Sequence, residues 1–97
     1  MKHCILCKFK PEVKQTDWQA MLPDIEKIFD KTLSIDGVEQ VELITNCVDR
    51  DNRYDLLIRM TMTREALPAY DACPAHAEWK NSYGNKLEKK AIFDYEA

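Results

Sequence analysis

In the opening stretch KHCILCKFK the side chains alternate with a period of two, His3, Ile5, Cys7 and Phe9 on one side and Cys4, Leu6 and Lys8 on the other. Lys2 to Lys10 is therefore predicted to be a β-strand, ended by Pro11. The same alternation disposes of an apparent Cys-x-x-Cys site. Cys4 and Cys7, three positions apart on a strand, point to opposite faces and can neither chelate one ion nor close a local disulfide. A strand with one buried face needs a covering layer, and the remaining chain has to supply it.

The next periodicity is helical. Thr16 and Gln19 make a capping box, and Trp18, Met21, Leu22, Ile25, Ile28, Phe29 and Leu33 follow at helical spacing, with Pro23 expected to disturb the first turns. Gly37 reads as a turn residue free to take a positive φ. Val38 to Val48 is a second predicted strand, DRDNR a solvated loop, and Tyr54 to Met62 a third strand, the two strands forming a hairpin. Thr63 is expected to cap a short helix limited by Pro68, and Pro74 fits the first position of another. On that last helix His76, Trp79, Tyr83 and Leu87 fall on one stripe, so His76 is expected to look inward. KKAIFDYEA is the closing strand. Trp18, Trp79 and Phe93 are read as core aromatics, and Cys47 and Cys73 as small apolar fillers.

The element order is strand, helix, strand, strand, helix pair, strand. This is the β-α-β-β-α-β order of an α+β ferredoxin-like fold, a four-stranded antiparallel sheet with helices on one face. Nothing in the sequence divides it, and a single domain over residues 1–97 is expected. A chain of this length buries roughly two thirds of its unfolded surface, close to the size at which oligomerisation usefully adds core. Leu6, Leu57 and Ile92 are expected on the second face, and a symmetric partner sheet is the economical cover, giving a homodimeric α/β barrel.

Composition excludes several functions. The net charge of -3 and the absence of any lysine-arginine run argue against nucleic acid as a partner. No apolar run approaches the roughly 20 residues a membrane helix requires, and no signal-peptide pattern is seen, so no membrane partner and a cytoplasmic location are expected. The four cysteines are then free thiols in a reducing compartment. No metal or cofactor is expected.

Three motifs, KHCILCKFKPEV, RDNRYDLLIRMTMTREALPAYDACPAHAEW and LEKKAIFDYE, together resemble the stress-responsive A/B barrel (Dabb) domain family nearly end to end. The resemblance implies a dimeric α/β barrel. Most members are uncharacterised or linked to stress responses, while a plant branch cyclises linear polyketides by intramolecular aldol condensation. The site residues of that branch fall on His3 in KHC, Tyr70 in AYDACPAH and His76, with Cys73 where the family often has a first histidine. Met21, Leu22 and Ile25 stand where the branch places aromatics around its substrate, and Ile5, Cys7 and Trp79 are expected to complete the pocket. These residue types suit proton abstraction next to a carbonyl. Histidine supplies a base poised near neutrality, and a tyrosine hydroxyl can donate to the developing oxyanion. His76 is read as the base, Tyr70 as the donor and His3 as a second polar contact.

Two functions follow: a lyase or cyclase acting on a small carbonyl or polyketide-like molecule in a cleft between sheet and helices, or a non-catalytic dimeric stress-response or binding module. A monooxygenase-like dimer is a third, resting on fold analogy.

Overall fold

The computed structural model describes residues 1–97. Strands β1 (Lys2–Phe9), β2 (Val38–Thr45), β3 (Leu56–Met62) and β4 (Leu87–Tyr95) form one sheet in the order β2-β3-β1-β4, every neighbouring pair antiparallel. Helices α2 (Leu22–Asp30), α3 (Leu67–Ala72) and α4 (Pro74–Tyr83) bury side chains against one face, and a single turn, α1 (Pro11–Lys14), follows β1. The ferredoxin-like fold expected from the element order is the fold observed.

Register explains the two faces, because directly paired residues of antiparallel strands project to the same side. On the helix side run the rows Leu43–Ile58–Ile5–Ile92, Val41–Met60–His3–Asp94 and Thr45–Leu56–Cys7–Lys90. The central members of these rows are buried under Ile25, Ile28 and Phe29 of α2 and Ala75, Trp79 and Tyr83 of α4. Each buried Leu, Ile, Met or Phe among them contributes about 1.5–3 kcal/mol on burial. The phenol of Tyr83 donates to Asp24 at 2.5 Å and ties α4 to α2.

The opposite face carries no helix. Its rows are Ile44–Leu57–Leu6–Ala91, Glu42–Arg59–Cys4–Phe93 and Gln40–Thr61–Lys2–Tyr95. Arg59 makes a two-pronged contact to Glu42 at 3.1 and 3.2 Å and holds that carboxyl below its usual range. Leu6 and Leu57 lie on this face as expected. Ile92 does not: paired with Ile5, it faces the helix side and is 50% exposed there. Phe93, expected in the core, is 61% exposed on the open face.

Prolines account for most differences at helix ends. The first helix does not start at a Thr16 cap, because Pro23 has no N–H to give and is accommodated only in a first turn. The chain therefore makes a 3-10 turn over Trp18–Met21 and begins α2 at Leu22, while the Thr16 hydroxyl donates to the Val13 carbonyl. Pro68 likewise opens α3 rather than limiting it, and Thr63 gives no side-chain cap. Pro74 opens α4 as expected. Leu87 begins β4 instead of closing the helix, β2 stops at Thr45, and Leu33 is 43% exposed. Gly37 has φ +94°, and a Cβ there would lie 2.5 Å from the Thr63 hydroxyl, so the turn depends on glycine. Cys47 is exposed, not a filler.

Candidate functional site

β1 and β4 bring His3 and Asp94 side by side, and the start of α4 brings His76 over the same edge of the sheet. His3 Nδ1 lies 2.5 Å from Asp94 Oδ1. An acceptor-only carboxylate on Nδ1 fixes the proton there, and Nε2 has no protein partner. His76 Nδ1 lies 2.9 Å from the Asp71 backbone carbonyl. That contact requires Nδ1–H to donate, so Nε2 of His76 carries the free lone pair a base needs. The backbone N–H of His76 donates to Cys73 Sγ at 3.4 Å, so Cys73 caps α4 and sets the histidine on its first turn.

Tyr70, from α3, packs against both imidazoles, with ring centroids 5.4 Å from His3 and 4.9 Å from His76. Its hydroxyl is buried and has no hydrogen-bond partner. Burial, with Cys73, Asp71 and Cys7 close by, raises its pKa, so the phenol stays protonated. An orphan buried donor costs about 1–3 kcal/mol.

Together these side chains border a cleft of about 260 Å³ between the sheet edge and α3–α4. His3, Tyr70 and His76 all line it, as do Ile5 and Trp79. Cys7, Met21, Leu22 and Ile25 do not. Cys7 lies wholly in the core, where burial pushes its thiol up to about 12. Ile25 is buried under α2, and Leu22 borders a separate depression on that helix's surface. His76 is half-buried at the rim rather than fully inward.

Sequence reasoning missed Leu67, Asp71, Lys90, Ile92 and Asp94, which also border the cleft. Pairing the first strand antiparallel with the last would have set Asp94 opposite His3. A larger cavity, about 530 Å³, lies at the other end of β1. Its centre is a set of mutual contacts: Lys14 bridges Asp49 at 2.9 Å and buried Asp55 at 2.6 Å, Asp55 also accepts the Phe9 N–H, and Lys8 lies 3.8 Å from Glu88. We read it as a structural clasp. No cluster of three or more His, Cys, Asp or Glu is placed to hold a metal, and no helix is long and apolar enough to cross a membrane.

A four-stranded antiparallel sheet helical on one side, with a histidine-lined cleft at the seam, defines an α+β protein of the ferredoxin-like class. The family profile of the stress responsive A/B barrel domain, Dabb, matches residues 1–97, and the chain belongs to that family. Among solved structures, a protein from Arabidopsis thaliana is 24% identical, with TM-score 0.74 over 99% of this chain and 93% of that one. A dimeric ferredoxin-like protein of unknown function from Thermobifida fusca is 14% identical, with TM-score 0.76 over 99% and 89%. The hydroxynitrile lyase from Passiflora edulis is 15% identical, with TM-score 0.71 over 97% and 89%. At these identities the likeness establishes the fold. No curated protein matches the chain in sequence.

Proposed function

We propose that this Dabb domain, one unit over residues 1–97, binds a small carbonyl compound and moves a proton on the carbon beside the carbonyl. The observation that carries this is the convergence of His3, Tyr70 and His76 on one cleft. His76 Nε2 takes the proton. The protonated Tyr70 hydroxyl donates to the carbonyl oxygen as it gains charge, and that oxygen satisfies the orphan donor. His76, now protonated, returns that proton to the product carbon, while His3, oriented by Asp94, is a second polar contact in the cleft. The Tyr70 hydroxyl is covered, so a ligand reaches it by rotating a neighbouring side chain. That a hydroxynitrile lyase shares the fold supports lyase-type chemistry on this scaffold.

The functional unit is a homodimer joined through the helix-free faces, as supported by that face's apolar row and by the dimeric Thermobifida fusca relative in fold. Four free cysteines support a reducing, cytoplasmic location. A second reading, a non-catalytic dimeric binding module, draws on the covered Tyr70 hydroxyl.

Only two histidines are present, so their ring C–H signals in a proton NMR spectrum report the site directly. Titration with 2-heptanone, a neutral methyl ketone, is expected to move both sets together with one saturation curve, and His76→Ala to weaken that binding. Ring signals that stay still throughout would sink the proposal.

A further inference from the structure

Lys90 stands at the opposite end of the cleft from the imidazoles. Lys90, Ile92 and Asp94 share the helix-side face of β4, and the step from Asp94 to Lys90 spans about 13 Å of extended strand. Asp94 is engaged by His3, Asp71 lies beside His76, and Ile92 with Ile5 makes an apolar stretch before Lys90 is reached. No carboxylate lies within ion-pair distance of Lys90, the one lysine bordering the cleft.

The wall continues past it. Trp79 and Lys90 also border a second cavity of about 180 Å³, to which Lys80, equally without an ion pair, contributes. The carboxylate of that cavity, Glu88, is drawn toward Lys8 at 3.8 Å. The trough thus runs from a proton-transfer end through an apolar middle to an end where Lys80, Lys89 and Lys90 all lack an ion pair.

We propose that the cleft's ligand is an elongated carbonyl compound ending in a carboxylate, with Lys90 the specificity-determining cation and Lys80 a second, a proposal that rests on the carbonyl-binding role of the cleft. Flexible point charges of this kind suit a monoanion, and the apolar middle suits a hydrocarbon spacer. The length of the trough favours a spacer of several carbons over a short oxo acid.

The test compares 8-oxononanoate with its methyl ester, which keeps the ketone and chain but removes the charge. On the wild type the acid is expected to bind roughly tenfold tighter than the ester, the effect of one charge-assisted contact at a partly wet site. Lys90→Met should bring the acid close to the ester, Lys80→Met should do so in part, and added salt should narrow the gap. Equal binding of acid and ester to the wild type, or a preference that survives in both variants, overturns the inference. If the histidine ring signals still move with both compounds in that case, the carbonyl-binding role stands. If they move with neither, both fall.

Discussion

Trp79→Ala is expected to remove about 3–5 kcal/mol of stability, the cost of deleting a large buried aromatic and leaving a cavity. Trp79 is 2% exposed, meets Phe29 edge-on at 5.2 Å and stacks on Tyr83 at 5.7 Å, so it joins α4 to α2. A domain of this size has about 5–15 kcal/mol in all, so the loss lowers the thermal midpoint by at least about 12 °C. Its removal should also widen the trough whose wall it forms. Denaturant unfolding followed by circular dichroism gives the stability, and half-buried Trp18→Ala serves as the comparison, with a loss less than half as large. A change under about 1 kcal/mol for Trp79→Ala would be incompatible with this packing.

Leu57→Arg is expected to give a folded monomer. Leu57 is central in the apolar row of the helix-free face, between Ile44 and Leu6. In the isolated protomer an arginine there stays hydrated. Between two sheets it is an unpaired buried charge, and symmetry places two in the interface. Association should weaken by at least about a thousandfold. Sedimentation equilibrium reads this as loss of the dimer mass, and the thermal midpoint should lose its dependence on protein concentration. Leu33→Arg, at an exposed position outside the sheet, should leave the dimer intact. A wild type that sediments as a monomer, or a Leu57→Arg protein that remains dimeric, contradicts docking through this face.

The strands were legible because burial on one face writes a period of two into the sequence. In β1 that pattern located His3, Ile5, Cys7 and Phe9 correctly on the helix side. β4 was legible as a strand but not in orientation: Ile92 and Phe93 are adjacent and both apolar, so only the pairing to β1 decides which faces the helices. The histidines and Tyr70 were found through a motif resemblance, whereas Asp94 is 91 residues from the His3 it orients and carries no local signature. Met21, Leu22 and Ile25 were assigned to the pocket from the family resemblance, on a helix expected to start at Thr16. Starting α2 at Leu22 instead turns Ile25, Ile28 and Phe29 into the core and leaves the cleft to α3, α4 and β4. Lys90 escaped notice because an exposed lysine on a strand is ordinary until its neighbours are known.

In the proposed reaction His76 acts as a base beside a bound carbonyl. Deuterium exchange at the carbons flanking the ketone of 2-heptanone, followed by NMR in heavy water, measures that step without knowledge of the natural ligand. Wild-type protein is expected to speed exchange over buffer by at least about a hundredfold, within the range of general acid–base catalysis, and His76→Ala to bring it close to the buffer rate. A wild type that binds the ketone yet exchanges it no faster than buffer, or a His76→Ala protein as fast as wild type, would contradict the account.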